Sequence, residues 1–238
     1  MPLLRVSGLV KRFGGLLAIN NVSFDVDKGE YLGLIGPNGS GKTTIFNLIC
    51  GFLKPDKGTV IFKDTNITRK SPHLRARMGI GRTFQIVKPL LDLSVLDNVT
   101  AGALMKSSNV NEAKEKAQKA LELVGLYDKM SLKARSLNIV QRKRLELARA
   151  LAMDPELLLL DEIAAGLTPT EVDGLLKILR DIHESGKTII MVEHVMRAVM
   201  TISERVIVLH HGEKIAEGTP KEVSNDQRVI EVYLGARF

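Results

Sequence analysis

The sequence predicts an α/β fold in which a mostly parallel sheet is flanked by helices, and three observations predict it. The apolar run Tyr31-Leu32-Gly33-Leu34-Ile35 reads as a buried strand; a glycine-rich loop follows it, then Thr44-Ile45-Phe46-Asn47-Leu48-Ile49-Cys50, a helix closed by Gly51. Further along, apolar strands at 157–160, 187–192 and 205–209 alternate with helices at 169–184 and 195–202, the rhythm of parallel strands joined by crossover helices. Between them, from about 87 to 153, the texture turns helical, with helical periodicity over 111–124 and 139–153.

Taken in order, residues 3–10 and 17–26 read as two strands, the second ending in the alternation Val22-Ser23-Phe24-Asp25-Val26 of a half-buried strand. Phe13 lies between them in a glycine-flanked loop, where an aromatic ring could either stack on a base or plug the core. Asp27-Lys28-Gly29-Glu30 is a turn, and so is Lys54-Pro55-Asp56-Lys57-Gly58, which leads to a strand at 59–63. Residues 72–78 form a short basic helix, and 79–85 a strand ending at Phe84-Gln85. Lys106-Ser107-Ser108-Asn109 is a polar joint within the helical stretch. The helix at 169–184 begins with a proline, which is tolerated in the first turn, and ends at Gly186. His211-Gly212 is a turn, and Gly218-Thr219-Pro220 opens the C-terminal helices.

The chain has 238 residues, of which 45% are hydrophobic, enough for a sizeable core. No apolar run is long enough to span a bilayer, and the N-terminus has no signal-peptide layout. The single cysteine, Cys50, permits no internal disulfide and fits a reducing compartment. A net charge of +7 suits an anionic partner, whether nucleotide, lipid headgroup or nucleic acid, and equally suits a basic solvated surface.

Gly36-Pro37-Asn38-Gly39-Ser40-Gly41-Lys42-Thr43, continued by Thr44, fits the phosphate-loop pattern Gly-x4-Gly-Lys-Ser/Thr in the strand–loop–helix context that the pattern needs. Glycines let successive backbone N–H groups turn inward on an anion, and the helix adds the positive end of its dipole. Lys42 can reach terminal phosphates and the Thr43 hydroxyl can ligate Mg²⁺. Four more candidates stand at expected carboxyl ends of strands, the edge where open α/β sheets bind ligands. Asp161 would be the metal-side acid, Glu162 would orient or deprotonate a water, Gln85 could contact the metal or that water, and His194 the outermost phosphate.

In their order and over nearly the whole chain, Phe13, residues 36–43, Gln85, 157–162 and His194 resemble the aromatic loop, Walker A, Q-loop, Walker B with catalytic glutamate, and H-loop of the ATP-binding subunits of ABC transporters. Gly81-Arg82-Thr83-Phe84-Gln85, Ala164-Ala165-Gly166-Leu167-Thr168-Pro169, Glu193-His194 and Val229-Ile230-Glu231-Val232-Tyr233-Leu234-Gly235 look like the ATPases of branched-chain amino acid importers. The resemblance implies a phosphate-loop NTPase core with an antiparallel β subdomain and a helical subdomain. In this single ABC-type domain of residues 1–238, 1–86 and 157–238 would form the nucleotide-binding lobe and 87–156 the helical lobe. It also implies an ATPase with Mg²⁺ that works as an ATP-sandwich dimer. Its partners would be a second ATPase subunit, transmembrane permease subunits docked near 85–100 and, indirectly, a solute-binding protein. Its place would be cytoplasmic, peripheral on the inner face of the cell membrane. In such a dimer Asn138, Ile139, Val140 and Gln141 would face the partner's ATP.

Three positions depart from that family. The signature Leu-Ser-Gly-Gly-Gln is here Leu137-Asn138-Ile139-Val140-Gln141, so a branched side chain stands where a glycine lets backbone approach phosphate, and either weak dimer closure or pairing with a different subunit is expected. Asn138 could still cap the helix. Ile163 replaces a proline, and Thr168 an aspartate. A GTPase is disfavoured because the chain has neither Asn-Lys-x-Asp nor Asp-x-x-Gly. A non-hydrolysing regulatory subunit is disfavoured by Glu162 and His194, and a soluble ATPase acting on nucleic acid by the lack of a coiled-coil insertion or second cassette.

Overall fold

The computed structural model describes residues 1–83 and 88–235, and the chain divides into two compact units, Met1–Arg75 with Thr188–Phe238, and Ala76–Lys187. The sequence drew its lobes at 86 and 157. Within the second unit the strands on either side of the helical stretch pair with each other.

The first unit holds two sheets. One is antiparallel, with β1 (Leu4–Phe13) between β2 (Leu16–Val26) and β4 (Lys57–Phe62), and β5 (Thr65–Asn66) on the outer side of β4. In register, Leu4 faces Val26, Val6 faces Phe24 and Phe13 faces Leu16. The expected alternation holds, with Val22, Phe24 and Val26 buried and Ser23 and Asp25 exposed. The other sheet places β3 (Tyr31–Ile35) parallel to both β8 (Thr188–Val192) and β9 (Arg205–His210), with β10 (Glu213–Gly218) antiparallel to β9. All five residues of β3 are buried, which is why its sequence is an unbroken apolar run rather than an alternating one.

Helix α1 (Lys42–Cys50) follows β3 and closes at Gly51, a left-handed C-cap with φ 83°. Its last carbonyls are met by Arg75, in the middle of α2 (Pro72–Met78) and almost fully buried. The guanidinium donates to Leu48 O at 2.6 Å and Ile49 O at 2.7 Å, and to Thr68 O and Lys70 O. Helix α7 (Met196–Ile202) lies against β3 at Gly33, where a Cβ would come within 2.5 Å of Val199. Two helices end the unit, α8 (Pro220–Asn225), with a Thr219–Glu222 capping box, and α9 (Gln227–Gly235).

In the second unit β6 (Ile80–Arg82) runs parallel to β7 (Leu157–Asp161), Arg82 facing Leu159. Helices α3 (Val95–Ala103), α4 (Val110–Leu123) and α5 (Ile139–Leu151) pack together, and α6 (Pro169–Glu184) follows β7. α3 approaches α5 so closely at Gly102 that a Cβ would stand 2.7 Å from Arg149 O. Ser94, Asn109 and Asn138 cap α3, α4 and α5, and Thr168 with Glu171 boxes α6. The sequence reading had no helix at α3 and no strand at β5 or β10. None of the described helices is long and apolar enough to cross a membrane.

Candidate functional site

The loop after β3 is a preformed anion cradle. Gly36, Gly39 and Gly41 have φ of 151°, 78° and 107°, conformations that side-chain-bearing residues rarely adopt. At two of them space also requires glycine: a Cβ on Gly36 would overlap the carbonyl of Leu209, and one on Gly41 would meet Ile19 at 2.6 Å. Gly41 is the N-cap of α1, no side chain caps that end, and the first turn carries no acid. The helix start is thus open to an anion, with dipole and N–H groups aimed at it. Buried Lys42 arches over the loop, its Nζ donating to Gly36 O at 2.7 Å and Pro37 O at 2.9 Å. Ser40 is buried, while Asn38 and Thr43 are exposed and Thr44 is half-buried. From outside, Gly212 N–H donates to Ser40 O at 3.0 Å, and Asn20 N–H to Gly212 O at 2.8 Å.

Two further elements reach this loop. The Tyr233 hydroxyl of α9 meets the backbone of Gly36; burial pushes its pKa up to about 12, and that contact works the other way. A cleft of about 850 Å³ runs beside Pro37, Asn38 and Ser40, lined across by His210, His211 and Arg228. Phe13 ends β1 rather than sitting in a loop. It is 45% exposed and its ring lies 5.6 Å from Lys11 Nζ, so it is a surface ring and not a core plug. His194 follows β8 and is exposed, its N–H donating to the buried Glu193 carboxylate at 3.3 Å.

In the second unit Asp161 ends β7 and is 3% exposed. The parallel register sets Arg82 beside it: Arg82 faces Leu159, and Asp161, two residues on, projects to the same side. Arg82 Nη2 donates to Asp161 Oδ2 at 2.8 Å. Oδ1 of Asp161 is buried with no hydrogen-bond partner among the described residues. A buried carboxylate oxygen is costly unless something satisfies it, and a cation or its water would. Glu162 comes next, half-buried, in the left-handed region at φ 49°. Gln85 lies outside the described residues.

Asn138, exposed, accepts from Gln141 N–H at 2.9 Å, and Gln141 Oε1 accepts from Asn138 N–H at 3.1 Å, so the expected cap is formed. Ile139 is 58% exposed and Val140 half-buried, both in the first turn of α5. The sequence reading assigned no role to Arg82 or Lys143. Only the strand register shows the partner of Arg82.

Compared with known proteins, the chain matches the family described as "ABC transporter" over residues 19–165, and residues 213–238 match "Branched-chain amino acid ATP-binding cassette transporter". It is 40% identical to the high-affinity branched-chain amino acid transport ATP-binding protein LivG of Escherichia coli K12, with 98% of each chain covered. Its fold is similar to the ADP conformation of MJ1267, an ATP-binding cassette of an ABC transporter, with a TM-score of 0.90, 35% identity and 99% of each chain covered. It is also similar to the dimeric post-hydrolysis state of the cassette MJ0796 bound to ADP and Pi, with a TM-score of 0.81 at 26% identity, covering 91% of this chain and 98% of that one.

Proposed function

This chain belongs to the ABC transporter family, and we propose that it is the ATP-hydrolysing subunit of a membrane importer, pairing with a second ATPase subunit to close on two ATP molecules. The observation that carries this reading is the cradle of the first unit, with three left-handed glycines, an uncapped helix start and a buried lysine. Gly36 and residues 38–44, Lys42 among them, hold the phosphates, and Phe13 stacks on the adenine. Mg²⁺, when bound, neutralises charge on the β- and γ-phosphates, and Thr43, Asp161 and Gln85 are the residues proposed to hold it. The unsatisfied Oδ1 of Asp161 supports that assignment.

Glu162 orients the attacking water. The water oxygen attacks the γ-phosphorus, the bond to the bridging oxygen breaks, and the proton goes to the Glu162 carboxylate, leaving ADP and phosphate. His194 steadies the γ-phosphate, and Asn138, Ile139, Val140 and Gln141 face the ATP of the partner subunit. Opening and closing of the pair drives transmembrane permease subunits, which hold the chain peripherally on the cytoplasmic face of the cell membrane and take solute from a binding protein. The cargo is proposed to be branched-chain amino acids, from the description of LivG and the match at 213–238.

The test is Glu162→Gln. Turnover is expected to fall by about 10²–10⁴-fold, while labelled Mg·ATP still binds, because the phosphate loop is untouched. Unchanged hydrolysis would move the base elsewhere. The cargo is read separately, as ATP-dependent leucine uptake in vesicles holding the chain and its permease; uptake of a different solute alone would overturn it.

A further inference from the structure

We propose that Lys143 is a positioning residue that holds the Glu162 turn in its active shape and ties that turn to the helix bearing residues 138–141. The proposal rests on the reading of Glu162 as the group that handles water.

Lys143 sits in the second turn of α5, five residues past the Asn138 cap, in a helix rich in Arg and Lys. A solvated ammonium would be expected there, yet this one is 7% exposed. Burying an ammonium is costly unless its N–H groups are met. They are met by the backbone just past β7: Nζ donates to Ala165 O at 2.6 Å and Ile163 O at 3.0 Å, with Glu162 O at 3.4 Å.

That backbone has an unusual shape. Glu162 has φ 49°, a region unfavourable to any residue with a Cβ. Ala165 N–H donates back to Glu162 O and Leu167 N–H to Ala164 O, both at 3.2 Å, so two tight turns follow one another. Carbonyls at 162, 163 and 165 converge on one point, and their dipoles would repel if nothing positive stood there. The ammonium supplies that charge. A left-handed residue persists only where its surroundings over-determine it, and Lys143 contributes to that here by meeting three of the turn's carbonyls. Glu162 is the residue so held, which makes its carboxylate direction depend on a cation carried by α5. The start of the same helix is the proposed contact for the partner's ATP, so a displacement at 138–141 is delivered to Glu162 through a short rigid arm.

The test uses the full chain. Lys143→Met keeps the stem and removes the donors. Its kcat for Mg·ATP is expected to fall by about 10²-fold, the cost of a misplaced catalytic group, with KM unchanged. Lys143→Arg, which restores a cation with several donors, recovers most of that loss. In a Glu162→Gln background Lys143→Met should lower single-turnover hydrolysis no further, as befits a residue acting through Glu162. Independently of activity, the amides of Ala165 and Leu167 should exchange at least about tenfold faster in Lys143→Met, with those of 38–44 unaltered. Parent-like kcat and exchange in Lys143→Met would overturn the proposal, as would an equal additional loss in the Glu162→Gln background. If Lys143→Met does not fold, Lys143→Gln is read by the same measures. Should Glu162→Gln itself keep full turnover, the base assignment fails, and the exchange rates alone still decide whether Lys143 holds the turn.

Discussion

Gly36 and Gly39 share one loop and a positive φ, but their substitutions should fail for different reasons. Gly36→Ala meets two obstacles: a backbone angle that disfavours a Cβ by about 1–2 kcal/mol, and an overlap with the carbonyl of Leu209, a backbone atom that cannot swing away. Overpacking of this kind costs roughly 1–3 kcal/mol, so the sum is about 2–5 kcal/mol. For a chain of this size each kcal/mol moves the melting temperature by about 2–4 °C, so a drop of roughly 4–20 °C is expected. Gly39→Ala has the angle but no atom within 4 Å of the new Cβ, so only the first cost, about 1–2 kcal/mol, applies. Its methyl instead stands on the open side of the cradle. Loss of one charge-assisted hydrogen bond to phosphate, about 1.5–3 kcal/mol, weakens Mg·ATP binding by roughly 10–10²-fold. Thermal unfolding without nucleotide and equilibrium binding of labelled ATP separate the two effects. A Gly36→Ala protein that melts with the parent, or a Gly39→Ala protein that binds ATP as tightly, would refute this account of the loop.

Arg75→Met leaves the carbonyls of Leu48 and Ile49 buried without their donor, which should cost about 2–6 kcal/mol in urea unfolding; a change under about 1 kcal/mol would show that water replaces the guanidinium. Val140→Gly should strengthen ATP-driven dimerisation in a Glu162→Gln background, read by analytical ultracentrifugation with and without Mg·ATP. Identical sedimentation of the two versions would make Val140 neutral. Glu112, held by Lys116 and then by Ser108, titrates at about 2 instead of 4.5. Its folded-state value is depressed, so its contribution is present above 4.5 and fades as pH falls towards 2. The stability gap between the parent and Glu112→Gln should therefore close over that window, and a gap independent of pH would contradict the assignment.

The long periodic segments were legible because burial leaves a strong pattern: β3 as an unbroken apolar run, α6 as a capped amphipathic helix with proline at its start. α3 was not, since Val95, Val99 and Thr100 are β-branched and weak helix formers; only Ser94 followed by Asp97 marked its start. β10, on the edge of its sheet, carries Glu213, Lys214 and Glu217 and lacks strand character in sequence. At the candidate site, the phosphate loop could be read because its local geometry fixes its residue types. The Arg82–Asp161 pair could not, because it depends on strand register, nor could Lys143, whose helix reads as solvated.

The backbone link from Asn20 through Gly212 to Ser40 bears on which surface turns can absorb change. Two hairpins look alike in sequence, each turning on glycine: Gly14-Gly15 between β1 and β2, and His211-Gly212 between β9 and β10. Around the first, a new Cβ would meet nothing within 4 Å; around the second, it would strike Ala18 O at 2.5 Å. Insertions drifting into the first turn lengthen an exposed tip. The same insertions in the second would pull the prop from under Ser40. Packing should therefore bar sequence drift from the second hairpin but not from the first, where the neighbouring Phe13 sets the limit, although neither turn belongs to the phosphate loop itself.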